Sequence, residues 1–254
     1  MGNVIGSNIA NILLILGIAA MIKPINADPK LFKRDAPMLA LATIVIVLFA
    51  WWGNFGRLTG VFFVASLVAY IIYVYRSEIS SNDESSLLHQ KEALLVEPSP
   101  SRPVISIPLL IIGMVMIAWG ADLLVNASIE LARQFGISEA IIGLTVIALG
   151  TSLPELATSV IAALKGEGDI AFGNIIGSNI FNCLGILGAT ALAVPFSSSS
   201  GIMKYDLLLM VAATALLLFF AFSKAVVSRW EGAVFLLAYI AYLAVLVLKV
   251  SGGV

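Results

Sequence analysis

Charge is what this chain has least of. Only 11% of its 254 residues are Asp, Glu, Lys or Arg, against about 25% in an ordinary soluble domain. Hydrophobic residues make up 60% of the chain, and the mean hydropathy is +1.05. Together these exclude a water-soluble globular protein and predict an all-α polytopic membrane protein. The formal net charge of −1 gives a nucleic-acid backbone nothing to bind. There is one cysteine, Cys183, and one histidine, His89. An internal disulfide is therefore impossible, and a Cys/His zinc or copper centre lacks ligands. Cys183 reads as a small packing residue, and His89, in a polar stretch, as solvated. Residues 1–22 carry neither a basic leader nor a cleavage site, so insertion is expected to proceed through the chain's own spans.

What is there is a series of apolar runs. A helix of roughly 17–25 residues crosses about 30 Å of hydrocarbon, and the sequence offers eight such runs. They are Asn3–Ile22, Ala36–Trp52, Leu58–Tyr75, Val104–Arg133, Ile137–Leu164, Ile170–Val194, Tyr205–Phe222 and Gly232–Leu248. Lys23–Asp35 reads as a polar loop. Trp51, Trp52, Tyr73 and Tyr75 fall at span ends, where amphipathic rings favour the headgroup level. Residues 76–103 are rich in serine and end in Pro98-Ser-Pro-Ser-Arg-Pro103, the composition of a solvated linker. The expected organisation is a first part over 1–75, a linker over 76–103 and a second part over 104–254. If successive loops alternate sides, Arg57, Arg133, Lys204 and Lys249 lie on one side. The other ten of the fourteen basic residues, linker included, lie on the opposite side. The positive-inside rule makes that side cytoplasmic and the membrane the cell membrane.

Two strings interrupt the apolar pattern. Gly150-Thr-Ser-Leu-Pro-Glu155 puts a carboxylate inside a hydrophobic run, beside two hydroxyls and a proline. A charged group at bilayer depth costs about 2.5–3.5 kcal/mol on insertion scales, so it marks a functional site. Proline and glycine are expected to break the helix there and free backbone carbonyls around a cavity. The second string, Gly173-Asn-Ile-Ile-Gly-Ser-Asn-Ile-Phe-Asn182, adds three amides and a hydroxyl, and its span, Ile170–Val194, is expected to be interrupted too. Such an oxygen-only set suits a hard cation.

The second string occurs twice. Gly2-Asn-Val-Ile-Gly-Ser-Asn-Ile-Ala-Asn11 repeats it at a constant offset of 171 (173 against 2, 182 against 11). The copies lie in the first and sixth spans, five crossings apart, so they run in opposite directions through the bilayer. That predicts an inverted-topology repeat with a midplane site between related halves. Ser7 and Asn11, like Ser178 and Asn182, are four apart and share a helix face. Asn174 and Asn179 are expected to bond freed backbone or neighbouring helices. Asp169 is expected to cap a helix, and Asp122 to act in structure or at the mouth.

On these strings the chain resembles the cation/calcium antiporter superfamily, in its sodium/calcium exchanger branch and nearest its bacterial members. The resemblance implies a fold of ten helices, five plus five, with discontinuous helices in two inverted α-repeats, the second at about 118–188. It implies an antiporter rather than an enzyme, with calcium and sodium as transported ions and no resident cofactor. It carries over Glu155 as the principal carboxylate, with the backbone carbonyls of Ala148 and Thr151. It places Ser152 and Ser178 at sodium positions and assigns Asn182, Ser7 and Asn11 to the remaining ones. Some relatives have aspartate where Asn182 stands, notably the potassium-dependent exchangers, so potassium co-transport is not expected. The family's first repeat also has an acidic helix ahead of its Gly-Asn string. This sequence starts after that point, so eight spans and a truncated, non-transporting chain are the corresponding expectations. Calcium/proton exchange is the rival activity.

Overall fold

The structure, a computed structural model, describes residues 1–26, 29–80, 103–136, 148–197, 202–224 and 226–251. Its helices are α1 (Gly2–Ile22), α2 (Pro29–Trp52), α3 (Arg57–Ser80), α4 (Pro103–Gln134), α5 (Ala148–Thr151), α6 (Leu153–Lys165), α7 (Gly168–Ala193), α8 (Ile202–Lys224) and α9 (Arg229–Ser251). Among the described residues, seven of these are long and apolar enough to cross a membrane. The eighth expected span, Ile137–Leu164, is described only from residue 148, as α5 and α6. Helices are the available answer for such a sequence, because hydrocarbon offers no partner for an unpaired backbone N–H or C=O.

Three expectations need correction. The polar loop expected at Lys23–Asp35 is shorter, because α2 starts at Pro29, and a proline in the first helical turn forfeits no backbone bond. Helix α3 runs on to Ser80, into the stretch assigned to the linker, whose residues 81–102, with His89, lie outside the described residues. The expected interruption of Ile170–Val194 does not occur: α7 is continuous from Gly168 to Ala193. Each glycine there costs up to about 1 kcal/mol of helix propensity, less than an unpaired backbone group in hydrocarbon. The helix accommodates the string with a π-helical turn at Phe181–Ile186. Helix α1 has the matching turn at Ala10–Leu16, the same place in its copy of the repeat. π turns inside α-helices are frequent at functional sites.

The two repeats form the centre. The apolar window of α1 is 72% buried and that of α7 is 61% buried, whereas none of the α4 window is. Helix α9 packs along α1, and α3 packs along α7. Both crossings are made at glycines: Gly17 against Gly232 in one, Gly188 against Gly60 in the other. Small residues let helices approach closely where lipid supplies no hydrophobic drive for association.

Two short strand pairs stitch the halves together. β1 (Ile25–Asn26) pairs antiparallel with β4 (Val226–Val227), and β2 (Asn54–Phe55) pairs with β3 (Phe196–Ser197). Each pair joins a loop of one half to a loop of the other. The loop after α1 therefore lies on the same membrane side as the α8–α9 loop. The α2–α3 loop shares the other side with the loop after α7. At that second pair Phe55 and Phe196 stack with ring centroids 4.8 Å apart and planes 6° from parallel. Buried carboxylates repeat the symmetry. Asp35 on α2 and Asp206 on α8, again 171 apart, are 7% and 8% exposed. Each meets a tyrosine on the following helix: Tyr70 beside Asp35, and Tyr242, whose hydroxyl donates to Asp206 Oδ1 at 3.3 Å.

Candidate cation site

The helix does break in Gly150–Glu155. Helix α5 ends at Thr151, Ser152 takes φ −99° and ψ 4°, and α6 restarts at Leu153. Pro154 sits in the first turn of α6, where its missing N–H is no loss, and Glu155 follows in the same turn. The free N–H groups and partial positive charge of a helix start favour a carboxylate there. Asn174 of α7 braces the break: its Nδ2 donates to the Glu155 carbonyl at 3.3 Å and to Ser159 Oγ at 3.0 Å. Of the two roles expected of Asn174, freed backbone or a neighbouring helix, these bonds are of the second kind.

Glu155 faces a cavity of about 310 Å³ shared with Gly173, Asn174, Gly177, Ser178, Phe181 and Asn182. Ser178 lines the same cavity as the Glu155 carboxylate. A Cβ at Gly173 or at Gly177 would meet nothing within 4 Å, so this face of α7 is open. The structure thus brings Glu155, Ser178 and Asn182 to one cavity. Ser7 joins the string from the other repeat, its Oγ 3.1 Å from Thr151 Oγ1. Ser152 is 2% exposed and opens instead on a second, apolar cavity of about 270 Å³ with Leu14, Ile15, Val125 and Leu149. Ala148 is the first residue of α5.

Four amides cross between the repeats. Asn182 Nδ2 donates to Asn8 Oδ1 at 3.1 Å, and Asn11 Nδ2 donates to Asn179 Oδ1 at 3.2 Å. Asn8 and Asn179 are equivalent in the repeat, as are Asn11 and Asn182, so one bond is the two-fold image of the other. Asn8 Nδ2 in turn donates to Cys183 Sγ at 2.9 Å and to Met210 Sδ at 3.7 Å. Asn8 is the residue that reasoning from the sequence passed over, although its equivalence to Asn179 was there to be read. Cys183, expected to be packing alone, is also an acceptor.

Among the described residues, four buried polar side-chain atoms lack a hydrogen-bond partner: Asn11 Oδ1, Ser152 Oγ, Glu155 Oε2 and Asn179 Nδ2. An orphaned buried polar atom costs about 1–3 kcal/mol, so folds keep them where a ligand satisfies them. Three of the four are oxygens, and all four lie in the repeated strings or the Gly150–Glu155 string. Among the described residues there is no cluster of three or more His, Cys, Asp or Glu. The donor set is therefore one carboxylate with hydroxyls and amides, oxygen chemistry of the kind that hard cations accept.

The family model described as sodium/calcium exchanger protein matches residues 1–77 and 105–248. The chain belongs to the sodium/calcium exchanger family. Over 244 residues it is 38% identical to the putative antiporter CaxA of Alkalimonas amylolytica, which covers 95% of this chain and 76% of that protein. It is 31% identical to the sodium/calcium exchanger MaX1 of Methanosarcina acetivorans, over 96% of this chain and 79% of the relative. The solved sodium-calcium exchanger NCX_Mj, soaked with 10 mM Na+ and zero Ca2+, superposes with a TM-score of 0.75 at 32% identity. That match covers 96% of this chain and 75% of the other. This exchanger family member is thus a helical, multi-pass membrane protein, and it spans about three quarters of these relatives.

Proposed function

We propose that this exchanger family member is a secondary antiporter that moves sodium and calcium in opposite directions by alternating access. Its site lies between α5–α6, α7 and α1. Glu155 is the principal ligand; Ser178 and Asn182 share its cavity. Ser152, the Thr151 and Ala148 carbonyls, and Ser7 and Asn11 from the inverted copy complete the set. The observation that carries the reading is the set of buried, partnerless oxygens: Glu155 Oε2, Ser152 Oγ and Asn11 Oδ1. A site that accepts either one calcium or sodium, and never its full complement of both, couples the two fluxes.

Calcium/proton exchange is the competing reading, with Glu155 taking a proton in place of sodium. A proton needs only the carboxylate. The hydroxyl and amide oxygens gathered around Glu155 favour sodium. Calcium uptake into inverted membrane vesicles, driven first by a sodium gradient alone and then by a pH gradient alone, separates the two. Uptake under the pH gradient only would remove sodium from the mechanism. The linker side is proposed to be cytoplasmic, from the concentration of basic residues there. The β1–β4 pairing supports the grouping, because it puts the Lys23 and Arg229 ends on one side, where Arg229 donates to the Ile22 carbonyl at 3.2 Å.

A further inference from the structure

An asparagine serves a cation only through its oxygen; turned over, it offers two N–H donors and repels the ion. What fixes the turn of Asn182 is legible from the atoms behind it. Met210 Sδ is a thioether without a hydrogen to give, so the Asn8 end facing it is the NH2 group. Cys183 Sγ accepts from the same nitrogen. Asn8 Oδ1 then points the other way, toward Asn182, and only the Asn182 NH2 can meet it. The remaining atom of that amide, Asn182 Oδ1, is left for the cavity. In the other half Asn179 Oδ1 takes the Asn11 NH2, and Asn11 Oδ1 is buried with no protein partner. All four side chains are at most 8% exposed, so water does not hold them in place.

We infer that Asn8 is a positioning residue that locks Asn182 with its oxygen toward the transported cation, and that Asn179 pairs with Asn11 in the same sense without a sulfur anchor behind it. Neither touches the ion. Each accepts an N–H of a ligand amide from the opposite repeat, which turns that amide's oxygen the other way. The inference rests on Asn11 and Asn182 being ligands, as proposed above, and adds how a neutral amide is kept in its one useful orientation. Mutating a residue that orients a ligand from behind typically lowers metal affinity about 10–100-fold.

The test is calcium binding to the purified full-length chain by calorimetry, with calcium chloride as the probe. Asn8→Leu removes the acceptor, and its effect is compared in two backgrounds, Asn182 and Asn182→Asp. A carboxylate presents oxygen whichever way it turns, so the second background has no need of an orienting partner. The expected result is an affinity loss of about tenfold with Asn182, and a loss within about twofold, or a gain, with Asn182→Asp. Equal losses in both backgrounds would mean that Asn8 only supports packing, and no loss in either would mean that it orients nothing; each overturns the inference. Glu155→Gln distinguishes the two levels. If it binds calcium as the parent does, the site reading falls and the orientation falls with it. If Glu155→Gln loses binding while Asn8→Leu keeps it, only the orientation is overturned. Where Asn8→Leu is not recovered as folded protein, Asn179→Leu in the Asn11 and Asn11→Asp backgrounds reads the same pattern from the other half.

Discussion

The crossing of α3 and α7 sets up a sharp contest between two effects of one methyl group. A Cβ built at Gly60 would lie 2.7 Å from the Leu192 backbone nitrogen, 2.8 Å from the Gly188 carbonyl oxygen and 2.8 Å from Leu192 Cγ. Two of those atoms are backbone inside another helix and cannot turn aside. Alanine at this position gains up to about 1 kcal/mol of helix propensity over glycine. Overpacking costs typically about 1–3 kcal/mol, and three simultaneous close contacts, two of them with backbone, put this site at the upper end. The clash therefore wins, and Gly60→Ala should destabilise by about 2 kcal/mol net. In a chain of this size that is a drop of about 4–8 °C in the melting temperature. Gly113→Ala on the exposed helix α4 is the control, since a Cβ there meets nothing within 4 Å. It should be neutral or stabilising by up to about 1 kcal/mol. The measurement is loss of the monodisperse peak on heating detergent-solubilised protein, with the two variants beside the parent. A Gly60→Ala protein that melts with or above Gly113→Ala would refute the close-packed crossing.

Other outcomes follow from the same geometry. Glu155→Gln should abolish calcium uptake into vesicles while leaving membrane insertion and the elution profile intact; normal flux would remove Glu155 from the site. Asn182→Asp adds a negative charge to the cavity and should raise divalent affinity or change the sodium dependence of uptake. No change in either would place Asn182 outside the ligand set. Tyr242→Phe deletes the hydroxyl that meets buried Asp206 and should cost about 1–3 kcal/mol, read as a lower melting temperature. An unchanged melt would show that the carboxylate is satisfied elsewhere.

Much of this architecture could be read from the sequence because it is written in long periods. The constant offset between Gly2–Asn11 and Gly173–Asn182 survives translation into three dimensions as two helices with the same π turn in the same place. The offset reaches further than the strings, to Gly17 and Gly188 at the helix crossings and to Asp35 and Asp206 beneath their tyrosines. Glu155 was legible because a carboxylate in an apolar run has few structural uses. Pro154 marked the helix restart for the same chemical reason that it forms it. Other features lacked a local signal. Nothing in Ile170–Val194 told a tolerated glycine from a helix break; that depended on the cost of leaving backbone unpaired in lipid. Two-residue strands such as Ile25–Asn26 carry no periodicity at all. The amide pairs were hidden because the partner of Asn8 lies 174 residues away, and only the folded two-fold brings it near.

The two-fold is closer in backbone than in chemistry, and the difference falls behind the ligands. Cys183 and Met210, which take the Asn8 amide, correspond in the first repeat to Ile12 and Leu39, aliphatic side chains that accept no hydrogen bond. Asn179 Nδ2 is accordingly buried with no partner, where its equivalent on Asn8 has two sulfurs. Sulfur is a weak acceptor, but a weak partner in a buried setting still offsets part of the roughly 1–3 kcal/mol that an orphaned donor costs. Asn182 is thus held through a chain anchored at its far end. Asn11 hangs from an amide whose other end is unanchored. A joint flip of the Asn179–Asn11 pair merely exchanges donor and acceptor and loses no hydrogen bond, whereas a joint flip of the Asn8–Asn182 pair loses the two bonds to sulfur. Two sequence-equivalent amides therefore differ in how firmly they offer their oxygen, and the firmer one sits in the same cavity as Glu155.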